Sequence, residues 1–444
     1  MKNDGNNDGR DGVGTTRLAL RGDLLDFTAM PGWNETESDA VRHRPDHWLL
    51  VEGGRITGAQ PGGQVPDASW QKIDHRGKLL LPGFVDTHVH SPQIDVIASH
   101  GTGLLDWLNT YTFPAEMRFA DPGEAEAGAE RFADALLAHG TTSAVVFPTV
   151  HKVSAEKLFA AAATRGMRLV TGKVLMDRHA PEELRDDVAQ AEQDCLDLVD
   201  RWHGKGRLSY AVTVRFAPSS TPAQLAMAGR LCADIPGVYM QTHVAENRDE
   251  VKLARDLFPE ARSYLDVYAR AGLVYERSVL AHGIWLDDED RALLRDRGAQ
   301  IAHSPSSNLF LGSGLFDWPA ALGAGVAVSI ASDVGGGTSL SMIRTMADAY
   351  RVQAMAGRHL TAWKALHAAT LGSAEALRLD GEIGSFAPGA CADVCVWDWA
   401  AGAVAERRLA VARNLHERVF AWMMLADERN LEVAYVAGVP RFRR

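Results

Sequence analysis

His88-Val89-His90 places two imidazoles two residues apart, and on an extended strand such residues point to the same face. Two neutral imidazoles on one face can address a single metal ion, although an H-x-H pair taken alone is more often structural. The pair gains weight from three residues far along the chain. His243 closes the apolar run toward Val244, His282 directly follows Val279-Leu280-Ala281, and Asp333 follows Val328-Ser329-Ile330. Histidines with one carboxylate suit Zn2+ or Fe2+ and can leave a position open for water. Glu246 lies three residues past His243, where strand gives way to loop. Beside a metal it reads as a proton shuttle, and elsewhere it would read as an acid favoured at a helix N-terminus. His303, at the end of its own apolar run, could line the same pocket without acting as a ligand.

Residues so far apart need a scaffold that gathers strand ends. Between residues 82 and 383, apolar β-branched runs alternate with amphipathic stretches rich in Ala, Leu, Glu and Arg. Strands are expected at Phe84–Val85, Thr142–Phe147, Arg168–Leu175, Leu208–Phe216, Val238–Val244, Ser278–Ala281, Ala299–Ala302 and Val326–Ala331, with helices such as Pro122–Ala138, Pro181–Trp202 and Pro222–Ala233 between them. Eight βα units predict an α/β fold, a (β/α)8 TIM barrel spanning 82–383, with an open doubly wound sheet as the alternative. Barrel active sites form at the C-terminal ends of strands, where all five candidate ligands lie. Residues 17–81 and 384–444 carry short strands and turns, expected to join as one small β-sandwich domain built from both chain ends. Residues 1–16, rich in Gly, Asn and Asp, read as a disordered tail with no apolar core of a signal peptide.

Lys and Arg total 46 against 57 Asp and Glu, a net charge of -11, which disfavours nucleic acid and leaves a small molecule as the expected partner. No apolar stretch suits a membrane. Four cysteines in so long a chain point to a reducing, cytoplasmic setting, and Cys391 and Cys395 read as small buried residues of a strand. The chain has no P-C-x-x-C, H-E-x-x-H, G-x-S-x-G or phosphate loop, and Gly335-Gly336-Gly337 reads as a turn beside the site. His43, His47, His75, His203, His359 and His416 are expected to face solvent.

The constellation resembles the amidohydrolase superfamily: H-x-H after strand one, His after strands five and six, Asp after strand eight. Two-metal members carry a carboxylated Lys at the end of strand four. Here that strand ends Val214-Arg215-Phe216, so one metal ion per subunit is implied, zinc with iron as the alternative. Within the superfamily, Pro82 to Gln93, Leu105 to Glu116, Met176-Asp177-Arg178, Arg215 to Ser220, His243 to Glu250 and Ser306 to Gly314 resemble the guanine deaminase family, in that family's order. Ser304 departs where many relatives have Cys.

The resemblance implies hydrolysis of guanine to xanthine and ammonia in purine metabolism, by a cytoplasmic homodimer. It makes His88, His90, His243, His282 and Asp333 the metal ligands. Glu246 would protonate ring N3 and the leaving amine, Asp333 would take the attacking water's proton, and His282 would contact the tetrahedral centre at C2. Guanine's adjacent O6 and N7 suit a guanidinium, here Arg215. Gln93 could read the Watson–Crick edge, and Phe216 and Trp107 could stack on the ring. Each has a plainer alternative: a salt bridge, a turn cap, core filling. An amidohydrolase of another heterocycle (8-oxoguanine, cytosine, triazine or pterin) and an inactive barrel scaffold are the competing readings.

Overall fold

In a computed structural model of the chain, the alternating pattern folds into a ring of parallel strands. The structure describes residues 17–101 and 103–444, so the tail expected at 1–16 lies outside the described residues. Phe84–His90, Thr141–Phe147, Arg168–Thr171, Leu208–Val214, Tyr239–Val244, Ser278–His282, Gln300–His303 and Ala327–Ile330 follow one another around the ring as the first to eighth barrel strands. The first and eighth meet through individual bonds rather than a continued ladder. His90 N donates to Val334 O (2.9 Å), Asp333 N to His88 O (2.9 Å) and Thr87 Oγ1 to Ile330 O (3.2 Å).

A narrow ring needs small residues inside. Val85, Val145, Val170, Ala211, Val279, Ala302 and Ala331 supply one from or just after each strand but the fifth, which contributes Tyr239. The Tyr239 hydroxyl donates to Leu377 O at 2.6 Å, and Leu377 and Ile383 pack on the same layer.

The helices between strands obey local rules. Asp121, Asp187 and Thr221 accept from the first backbone amides of Pro122–Ala138, Val188–Trp202 and Pro222–Asp234. Gly166 and Gly298, both left-handed, end Lys152–Arg165 and Asp288–Arg297. The run expected at Arg168–Leu175 is broken. Gly172 lies so close to Ala211 O that no Cβ would fit, and buried Lys173 turns to Asp186. Pairing to the fourth strand resumes at Val174–Leu175.

Both chain ends build a seven-stranded mixed sheet, in the order Val439–Arg443, Leu431–Val436, Val394–Trp397, Gln71–Pro82, Arg17–Phe27, Val41–Glu52, Arg55–Pro61. Alternation decides which residues face where. Leu80, Val394 and Val396 fill the sheet's own core, while Leu79, Leu81, Cys395 and Trp397 join the barrel's. All four cysteines are free. One expectation is overturned here. His75 is buried rather than solvent-facing, its ring nitrogens 3.0 Å from Glu432 Oε1 and 3.2 Å from the Tyr435 hydroxyl.

Candidate active site

The C-terminal end of the ring collects the polar side chains. His88 and His90 extend from one face of the first strand, His243 from the fifth, His282 from the end of the sixth, and Asp333 from just past the eighth. His88, His90, His243 and Asp333 each offer one ligand atom, all within 4.8 Å of one another. His90 Nε2 lies 3.3 Å from His88 Nε2, 3.2 Å from His243 Nε2 and 3.4 Å from Asp333 Oδ1, and His88 Nε2 lies 3.1 Å from that oxygen. Ligands about 2.0–2.1 Å from a tetrahedral zinc ion stand about 3.3 Å apart, so the spacing fits a small divalent cation.

The protonation states fit as well. Burial pushes His90 down to about 3, and burial together with His88, His90 and His282 holds His243 well below the usual imidazole range. Both are neutral, the form that binds metal. Burial alone would raise the Asp333 carboxyl, but the facing His88, His90 and His282 outweigh it and hold it well below the usual carboxylate range.

Other contacts fix the rings. His243 Nδ1 donates to Arg215 O at 2.6 Å, and His282 Nδ1 donates to Asn308 Oδ1 at 2.9 Å, so each turns Nε2 inward. Phe147 packs against His88, His90 and His243 at centroid distances of 4.9, 4.8 and 4.9 Å. His282 stands beside the four rather than among them. Its Nε2 is 3.5 Å from both Asp333 Oδ2 and Glu246 Oε2 and has no hydrogen bond. Ala245, His282 and Asp333 hold φ values of 49°, 72° and 51°, left-handed conformations that cost non-glycine residues energy and cluster at sites that need them.

Glu246 faces this cluster. Burial and the nearby Asp333 push its carboxyl up to about 8, while Ser313 Oγ donates to it at 3.0 Å. Behind it, Glu250 accepts from the Glu246 and Asn247 amides (3.0 and 3.1 Å) and from the Tyr264 hydroxyl (2.5 Å).

On the other wall, Arg215 Nη1 reaches both oxygens of Glu116 at 2.6 and 2.8 Å, and Gln93 Nε2 donates to the same carboxylate at 3.1 Å. Gln93 Oε1 accepts from Gly335 N at 3.1 Å, which puts the glycine run beside the site. Arg215 and Glu116 are 3% and 0% exposed by side chain, too buried for water to carry either charge. One pocket is lined by His90, His243, His282, Asp333, Glu246, Gln93, Arg215, Phe216 and Trp107, so the candidates named from sequence converge there or border it. His303 does not: it is buried against Phe316 and Trp318, outside the pocket. Glu116, Asn308 and Ser313 sat inside motifs already noted but carried no assigned role. An acid within the apolar turn Phe113–Met117 was the one available signal for Glu116.

The sequence profile of the amidohydrolase family matches residues 79–439. The chain is 40% identical to guanine deaminase of Escherichia coli over 427 residues, covering 95% of this chain and 97% of that one. The solved E. coli guanine deaminase superposes with a TM-score of 0.92 at 39% identity, over 97% and 99% of the two chains. A guanine deaminase from C. acetobutylicum, solved with guanine in its active site, gives 0.86 at 27% identity over 96% and 100%.

Proposed function

The chain belongs to the amidohydrolase family, and we propose that within it the protein is a guanine deaminase, converting guanine and water to xanthine and ammonia. One observation carries the proposal: a single pocket joins the cation-sized cluster, Glu246, and the Arg215–Gln93 wall. His88, His90, His243 and Asp333 would hold a divalent metal ion, with His282 as the fifth group beside them, and zinc is the ion proposed. When bound, such an ion supplies Lewis acidity, lowering the pKa of water from about 15.7 towards 7.

The chain's own residues then divide the work. Glu116 occupies Arg215 through Nη1, which leaves the rest of the guanidinium for O6 and N7 of guanine. Gln93, clamped at both ends of its amide, keeps one N–H for the purine edge. Phe216 offers a face to the ring. Asp333 takes a proton from the attacking water. Glu246, whose raised pKa lets it carry a proton at neutral pH, protonates N3 and then serves the amine leaving C2.

The proposal extends to a cytoplasmic homodimer. The free cysteines support a reducing compartment, and sedimentation would test the dimer. A panel of free purines, pyrimidines and pterins assayed for ammonia release tests the substrate. Guanine should be turned over and adenine rejected by about 10^4-fold or more, since adenine leaves buried polar groups unpaired. Comparable rates on the two bases would overturn the assignment.

A further inference from the structure

At the opposite end of the barrel, beside the N-terminal ends of the seventh and eighth strands, lies a second cavity of about 320 Å3. Gly298 and Val326, which precede those two strands, line it, as do Lys364, His367, Glu375 and Arg378. Lys364 and His367 sit one turn apart on the helix Ala362–Ala368 and are 3% and 2% exposed. Gly372 makes room for the imidazole: a Cβ there would stand 2.6 Å from His367 Nδ1.

Among the described residues none bonds the lysine and no carboxylate lies within 4.0 Å of Lys364 Nζ, although burial pushes its pKa down only to about 8, so it remains largely charged at neutral pH. Glu375 turns instead towards His367, with 3.5 Å between Oε2 and Nε2, and that buried nitrogen has no hydrogen-bond partner. Glu375 acts on the lysine only from beyond ion-pair distance, and a largely buried cation with no bonded counter-ion is unfavourable. The polar rim holds two fixed cations, Lys364 and Arg378, and one carboxylate, Glu375, so its charge matches a monoanion. Leu322 and Val328, backed by buried Trp318 and Val326, give the remaining wall an apolar character.

We propose that this cavity is a binding site for a small monocarboxylate, its carboxylate on Lys364 Nζ and its hydrocarbon against Leu322 and Val328. The site is separate from the deaminase pocket and does not depend on that reading.

Calorimetric titration of the full chain with sodium butyrate tests it, with inorganic phosphate as the comparison. Saturable butyrate binding is expected, tighter than phosphate and weakened at least tenfold in Lys364→Met, a variant of similar volume that keeps its guanine turnover. Equal affinity in the variant, no saturable heat with wild type, or phosphate binding the tighter would each overturn the proposal. Should Lys364→Met fail to fold, wild-type crystals soaked in 4-bromobutyrate decide. Anomalous signal beside Lys364 supports the site, and a map with none there rejects it.

Discussion

The barrel mouth and the terminal sheet both bury charge, and they resolve it in opposite ways. In the sheet, Asp26 accepts from Arg42 and Arg44 and from the Phe386 amide, and His75 is held between Glu432 and Tyr435. Asp26 and His75 thus each end on other groups of the same chain. At the mouth, the Nε2 atoms of His88, His90 and His243 and the Asp333 carboxylate all turn to one shared point, and His282 Nε2 has no partner. Buried polar groups answered within the chain hold a fold together, whereas groups aimed at a common space need something from outside.

The comparison can be broken at several strengths. Chelating the metal should reduce guanine turnover to background, and one equivalent of zinc should restore it. Turnover that survives in demonstrably metal-free protein, by elemental analysis, would erase the distinction between the two regions. Glu246→Gln should lower kcat by about 10^2–10^4-fold while metal content stays stoichiometric, since the proposed mechanism makes Glu246 a proton carrier and not a ligand. Asn308→Ala should be milder, about 10–100-fold in kcat/KM, through loss of the bond that aims His282. In the sheet, His75→Leu should cost about 1–3 kcal/mol in a urea melt and leave turnover unchanged. A fall in its kcat would show that the sheet and the mouth are coupled.

What could be read from the sequence follows the same division. Strand ends in a barrel must converge, so His88, His90, His243, His282 and Asp333 were recoverable from apolar runs and the residues that close them. Groups reached from irregular segments were not. Glu116 comes from the short helix Phe113–Met117 and Asn308 from Pro305–Phe310, pieces too brief to show a period. The terminal strands Arg17–Phe27 and Val41–Glu52 run well beyond the short apolar runs visible in the sequence. The leading half of Val41–Glu52 is polar and partly exposed, and a bulge at Gly22/Leu24 interrupts the register of Arg17–Phe27. His75 looked exposed because its partners, Glu432 and Tyr435, lie near the other end of the chain.

That distance has a consequence for how the molecule is made. The hydrogen bond from Arg55 to Gly389 joins residues 334 apart, and Pro82 pairs with Val394 across the same sheet. On the ribosome, Gln71–Pro82 emerges long before the strand that will cover its flank. Closing so long a loop carries an entropic cost, and contacts of this separation form late. The four leading strands therefore spend most of translation with an unpaired, apolar edge, when a chaperone or a neighbouring nascent chain can reach it. The last strands complete the sheet and end that interval together.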